Sequence, residues 1–162
     1  MLHIAPENQI RKNILCHEYI DYLSSDIDAH KAMVQMDITN IEYPDNSFDV
    51  IYCSHVLEHI PNDIQAMSEL RRVLKKDGWA IILVPIIEEE TIEYPNVVTP
   101  EERERLYGQK DHVRRYGKDF INRLKDADFK AYEEHFTVDD FSQDEVAQFG
   151  LLLKTTIFLC RK

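Results

Sequence analysis

Four acidic or imidazole side chains stand out because each directly follows a stretch that reads as a strand. Asp26 follows Tyr19-Ile20-Asp21-Tyr22-Leu23-Ser24, and Asp37 closes Met33-Val34-Gln35-Met36. Ser54 and His55 follow Phe48-Asp49-Val50-Ile51-Tyr52-Cys53, while Ala5, Pro6 and Glu7 follow the short apolar Leu2-His3-Ile4. In open α/β sheets ligands bind beyond the carboxyl ends of the strands, where the strand order reverses. A carboxylate at such a place accepts hydrogen bonds from vicinal hydroxyls, so Asp26 is the candidate for holding a ribose. Asp37 is placed to accept from an adenine amino group. Further along, His55-Val56-Leu57-Glu58-His59 matches the His-x-x-Glu-His pattern of a zinc hydrolase. That chemistry needs a regular helix across all five residues, whereas a strand runs up to Ser54 and Pro61 opens a new element. We therefore expect no metal in the principal function, and a zinc hydrolase is only a remote alternative.

The elements that must position these residues alternate. A helical stretch carrying Ile10, Ile14 and Leu15 follows the first strand. Tyr43-Pro44-Asp45-Asn46-Ser47 is a turn cluster ahead of the fourth strand. Pro61-Asn62-Asp63 opens a helix with Ile64, Met67, Leu70, Val73 and Leu74 in one stripe. Lys75 and Lys76 complement its terminal dipole, and Gly78 is expected to end it in the left-handed conformation. Trp79-Ala80-Ile81-Ile82-Leu83-Val84 reads as a strand buried on both faces. The last two strands, Phe129 to Thr137 and Thr155 to Cys160, are separated by an acidic connection too short for an easy parallel crossover, which favours an antiparallel final strand. The fold class expected is α/β, a doubly wound, mostly parallel seven-stranded sheet in a single domain spanning 1–162.

A polar insertion at about 85–117 lies where it can fold over the mouth of the site as a lid. Thr99-Pro100-Glu101-Glu102 predicts a capped helix running to about Tyr107. His112 and His55 are the candidate catalytic bases, because imidazole titrates near neutral pH. Arg114, Arg115 and Tyr116 are candidates for binding an anionic acceptor.

The bulk composition narrows the partners. The chain has 162 residues and a formal net charge of −11, with 30 acids against 19 bases. A protein that grips phosphate backbones usually presents a basic face, so a small-molecule acceptor is favoured over nucleic acid. Six lysines and arginines between Arg103 and Lys118 are the local exception. No apolar run is long enough to span a membrane, and the first residues do not read as a secretory signal. Cys16, Cys53 and Cys160, odd in number and widely spaced, read as reduced thiols in the cytoplasm.

The runs Asp37-Ile38-Thr39, Pro44-Asp45-Asn46-Ser47-Phe48-Asp49-Val50-Ile51, His55-Val56-Leu57-Glu58-His59-Ile60-Pro61 and Leu70-Arg71-Arg72-Val73-Leu74-Lys75 up to Gly78-Trp79 together resemble the methyltransferase type 11 family of class I S-adenosylmethionine-dependent methyltransferases. The resemblance implies a Rossmann-like sheet of order 3-2-1-4-5-7-6 and S-adenosylmethionine as cofactor. It implies that Asp26 holds the ribose, that Asp37 and Ile38 flank the adenine, and that Cys53, Ser54 and His55 lie along the methionine portion. The chain departs from the family at the first loop, where most members carry glycines so that backbone and cofactor can approach closely. There is no glycine before Gly78, and Ala5-Pro6-Glu7 occupies that loop, as in a subgroup with Ala-Pro-Glu there. The first strand has no helix before it, which points to a shortened relative or to a homodimer covering that face. Two functions follow: methyl transfer to a small or medium-sized acceptor, or a catalytically inactive binding or regulatory module on the same fold.

Overall fold

The computed structural model describes residues 1–135 and 156–162. Seven strands form one sheet in the order β3-β2-β1-β4-β5-β9-β8: β1 (Leu2–Ile4), β2 (Leu23–Asp26), β3 (Val34–Gln35), β4 (Phe48–Ser54), β5 (Leu74–Leu83), β8 (Lys130–His135) and β9 (Thr156–Arg161). The first five strands are mutually parallel, and β9 runs antiparallel to both β5 and β8. This is the Rossmann-like order anticipated above, including the reversed final strand. The acidic connection predicted between the last two strands lies outside the described residues. A second, two-stranded sheet pairs β6 (Ile86–Glu88) with β7 (Tyr116–Gly117).

One face of the main sheet carries the core. Leu2 and Ile4 of β1, Ile51 and Cys53 of β4, Ala80 and Ile82 of β5, and Phe158 and Cys160 of β9 are all buried. Against them pack Ala66, Met67, Leu70 and Val73 of helix α2 (Asp63–Val73), and Phe120 and Leu124 of α4 (Phe120–Asp126). The α2 stripe is therefore the core stripe read from its spacing. Asn62 caps that helix, its side chain accepting from the Gln65 amide. Helix α1 (Asn8–Leu15) behaves differently: none of its residues is buried, and Leu15 is largely exposed.

Several boundaries differ from the expectation, each for a local reason. The second strand begins at Leu23, because backbone hydrogen bonds from His17 to Ile14 and from Ile20 to His17 curl residues 17–20 into turns. Tyr19 is consequently exposed. Helix α2 ends at Val73, and Leu74 is already extended at φ −69°, ψ 137°. Gly78 does not end the helix in the left-handed conformation; it lies within β5. Its role is close approach, since a Cβ there would sit 2.6 Å from the Asp49 carbonyl oxygen. Lys75 pairs with the Asp49 carboxylate at 2.8 Å instead of facing the helix end.

Helix α3 (Pro100–Tyr107) shows the predicted capping in full. Thr99 Oγ1 accepts from the Glu102 amide, Glu102 answers toward Thr99, and Gly108 closes the helix at φ 88°. Among the described residues no helix is long and apolar enough to cross a membrane.

Candidate functional site

The strand order reverses at β1, which lies between β2 and β4. Beyond the carboxyl ends of these strands opens a cavity of about 740 Å³, bordered by Ile4, Ala5, Asp26, Asp37, Ile38 and His55, among others. That volume lies within the range of about 300–1,000 Å³ usual for small-molecule pockets. The strand-end residues singled out in the sequence thus converge on one cavity although 50 positions separate Ala5 from His55.

Two backbone features shape its floor. Ala5 has φ 47° and His55 has φ 53°, both left-handed values that a side chain disfavours. Ala5 thus adopts at the end of β1 the backbone a glycine would take without cost, and its amide donates to the Ser25 carbonyl at 2.7 Å. The turn is held from behind. His3, fully buried on β1, bonds to the Tyr22 hydroxyl at 3.0 Å and to the Glu7 carboxylate at 2.8 Å. Burial pushes the Glu7 carboxyl up, but hydrogen bonds from His3, the Glu7 backbone and Ser54, together with the His3 charge, hold it below its ordinary value.

The two acids each use one oxygen locally. Asp26 Oδ1 accepts from the Asp28 amide at 2.8 Å. Asp37 Oδ1 accepts from the amide and hydroxyl of Thr39 at 2.8 and 2.7 Å. These bonds fix both carboxylates while Oδ2 of each has no hydrogen-bond partner among the described residues, as a ligand-binding acid requires.

Not every predicted site residue reaches the cavity. Cys53 points into the core, fully buried, and its thiol is pushed strongly up by desolvation and by the charges of Glu58 and Glu7, so it is an inert packing residue. Pro6, Glu7 and Ser54 do not border the cavity. Arg114 and Tyr116 do not line the cavity either, because the insertion turns them inward. Arg114 donates to the carbonyls of Leu57 at 3.0 Å and Pro61 at 2.8 Å, and to Glu93 at 2.8 Å. Tyr116 donates to Asp63 Oδ2 at 2.8 Å, and Arg123 grips the same carboxylate at 2.6 and 2.8 Å. Arg115 pairs with Glu88 at 2.7 Å.

These contacts fasten the insertion to η1 (Leu57–His59), the 3-10 turn after β4. Burial would raise the Asp63 carboxyl, yet Arg123, Arg114 and Tyr116 together hold it below its ordinary value. Sequence reasoning missed Asp63, Glu93 and Arg123. Only the position of Asp63 in the first helical turn signalled anything, and that signal reads as capping.

The two candidate bases differ. His55 is exposed at the cavity wall, its Nδ1 3.3 Å from Glu58 Oε1, and that contact raises its pKa. His112 is buried and does not border the cavity, and burial followed by the neighbouring His59 lowers its pKa. The His-x-x-Glu-His stretch is not a helix: His55 follows the strand that ends at Ser54, with φ 53°, and only Leu57–His59 turn. The two histidines therefore do not share the helix face that the zinc hydrolase pattern needs.

The methyltransferase domain family model matches residues 8–82. Among curated relatives, the ubiquinone/menaquinone biosynthesis C-methyltransferase UbiE of Bdellovibrio bacteriovorus is 35% identical over 49 residues, 30% of this chain and 21% of that protein. The curated relatives match over 44–53 residues, which are only 12–21% of their own lengths. Among solved structures, an S-adenosylmethionine-dependent methyltransferase from Mesorhizobium loti superimposes with a TM-score of 0.67 at 14% identity, covering 99% of this chain and 90% of that one. The Burkholderia thailandensis 1,6-didemethyltoxoflavin N1-methyltransferase, solved with S-adenosylhomocysteine, gives 0.64 at 13% identity, covering 99% and 70%.

Proposed function

We propose that this chain, whose residues 8–82 match the methyltransferase domain family model, is a class I S-adenosylmethionine-dependent methyltransferase of the type 11 family and transfers a methyl group from S-adenosylmethionine to a small or medium-sized acceptor. The observation that carries the reading is the convergence of Ala5, Asp26, Asp37, Ile38 and His55 on one cavity at the strand-order reversal.

The residues fit the cofactor. Asp26, with one oxygen tied to the Asp28 amide, offers the other to the ribose hydroxyls. Asp37 accepts from the adenine amino group while Ile38 supplies an apolar wall. The left-handed turn at Ala5 keeps the loop clear of the cavity centre, with Glu7 and His3 holding its shape. Bound S-adenosylmethionine supplies an electrophilic methyl group on a sulfonium. His55 stands at the same wall with Glu58 behind it, placed to take a proton from an acceptor oxygen or nitrogen. The rest of the catalysis is positioning. The balance of acids over bases disfavours a nucleic-acid acceptor, and three free cysteines fit a cytoplasmic setting.

The test is calorimetric titration with S-adenosylhomocysteine. The wild-type chain should bind, and Asp26→Ala should bind roughly tenfold to a hundredfold more weakly, the worth of a hydrogen-bond pair to a charged group. Absence of binding by the folded wild type would sink the reading.

A further inference from the structure

We infer a divalent transition-metal site formed by Glu58, His59 and His112, where the insertion meets the η1 turn. One ligand atom from each of the three lies within 4.8 Å of the others. Tetrahedral zinc places its ligand atoms about 3.3 Å apart, given bonds of about 2.0–2.1 Å, so a small inward movement of side chains closes the set.

The second observation is independent of that proximity. The Glu58 side chain is 3% exposed, and its Oε2 has no hydrogen-bond partner among the described residues. A buried carboxylate oxygen without a partner is costly, and a cation beside it removes the cost. A ligand nitrogen of each of His59 and His112 lies within 4.8 Å of the Glu58 carboxylate. The rings of His59 and His112 stand 4.7 Å apart and nearly perpendicular. Asp111 lies 3.3 Å from His59 Nδ1, the carboxylate–imidazole contact that orients a ligating histidine.

The frame is rigid where it must be. The Val113 amide donates to the Glu58 carbonyl at 2.9 Å, and Arg114 holds the carbonyls of Leu57 and Pro61. His112 is thereby fixed beside η1 from a position 54 residues from Glu58. Two imidazoles and one carboxylate suit zinc, iron(II) or cobalt(II) better than magnesium or calcium, which prefer all-oxygen sets. His55 is not in this ligand set, so the site differs from the hydrolase pattern that the sequence suggests.

His59 and Asp111 also border the cavity, so coordination positions left by the three ligands open toward it. An acceptor carrying an anionic oxygen, such as a carboxylate or phenolate, would be held there. That role rests on the methyl-transfer reading, whereas the site itself rests on its three ligands alone.

The experiment is titration of the chelator-treated full chain with Co2+, followed by visible absorption and thermal melting. S-adenosylhomocysteine is titrated in parallel. The expected result is one bound Co2+ with ligand-field bands and a raised Tm. In Glu58→Gln and His59→Ala binding should weaken at least roughly tenfold. His59 is partly exposed, so its variant tests the site even if His112→Ala fails to fold. No Co2+ binding by the wild type overturns the proposal. So does binding that is unchanged from the wild type in both variants, which would put the ion on surface groups such as Cys16 and His17. S-adenosylhomocysteine binding without Co2+ binding removes the metal site alone, and the converse removes the methyl-transfer reading alone.

Discussion

The two halves of the cavity's surroundings are built on opposite principles. On the strand-end side, Ala5, Asp26, Asp37 and His55 stand at the rim, positioned by backbone conformation and by short-range hydrogen bonds. On the insertion side, Asp63, Arg114, Tyr116 and Arg123 form a buried polar cluster, and Arg114 has no exposed surface at all. The first half keeps polar groups available for a ligand and contributes little to folding. In the second, Asp63, Arg114 and Tyr116 direct their hydrogen bonds to one another, to Arg123 and Glu93 and to backbone carbonyls, and none of the three borders the cavity. What reads as a substrate-binding basic cluster in the sequence is thus the fastening of the insertion.

Arg114→Ala is the sharpest way to break this comparison. It leaves Asp63 with one fewer cation, leaves Glu93 with only the longer contact to Arg123, and takes a donor from each of the carbonyls of Leu57, Ile60 and Pro61. Breaking one partner of a buried ion pair costs about 3–5 kcal/mol, and that loss is expected in urea denaturation. Asp26→Ala, which removes an equally charged group from the rim, should change stability by less than about 1 kcal/mol. Similar losses for the two would erase the distinction between the halves.

A smaller effect separates the halves by pH. Both Asp63 and Glu7 have carboxyl pKa values held below their ordinary values. A carboxyl depressed in the folded state contributes stability above its unfolded pKa, and that contribution is lost as pH falls through the folded pKa. Stability should therefore fall on acidification from about pH 4 downward, near the ordinary carboxyl values. Asp63→Asn, though less stable at neutral pH, should show a shallower decline in its urea midpoint over that window. Glu7→Gln should flatten it less, because Glu7 is partly solvated and its gain is screened. An equal flattening would mean that the His3–Glu7 pair is as strongly coupled as the buried cluster.

The same contrast explains what was legible in the sequence. Strand-end acids follow from periodicity, because a strand of known direction brings its last residue to a known edge of the sheet. Asp26, Asp37 and His55 could be placed on that ground, and the capping of α3 on the local grammar of Thr99-Pro100-Glu101-Glu102. Arg114 and Tyr116 could not, since which way an irregular insertion turns its side chains is decided by partners 50 or more residues away, at Leu57, Pro61 and Asp63. Gly78 shows the same limit on a smaller scale. A glycine after a helix-like stripe suggests a left-handed stop, and only the neighbouring strand reveals that Asp49 needs the space. The Glu58, His59 and His112 cluster likewise joins a legible motif to a residue that only the fold brings near.

The smallest effect concerns the loop that lacks glycine. Ala5 occupies the left-handed region at φ 47°, which costs an alanine about 1 kcal/mol or slightly more. Glycine there would remove that cost but would add about 0.4–1 kcal/mol of backbone freedom to the unfolded chain. The two terms oppose, so Ala5→Gly should shift stability by less than about 1 kcal/mol in urea denaturation. Ala5→Val does not share the compensation: a β-branched side chain at positive φ is a stronger outlier, and its extra methyls project from a residue that borders the cavity. Valine should therefore lower both stability and S-adenosylhomocysteine affinity, while glycine leaves affinity within about threefold, less than about 0.7 kcal/mol. A large gain in affinity with glycine would show that the alanine methyl obstructs the cavity. Near-equality would show that the strand-end half depends on its backbone turn, which His3 and Glu7 hold in place whether or not a Cβ is present.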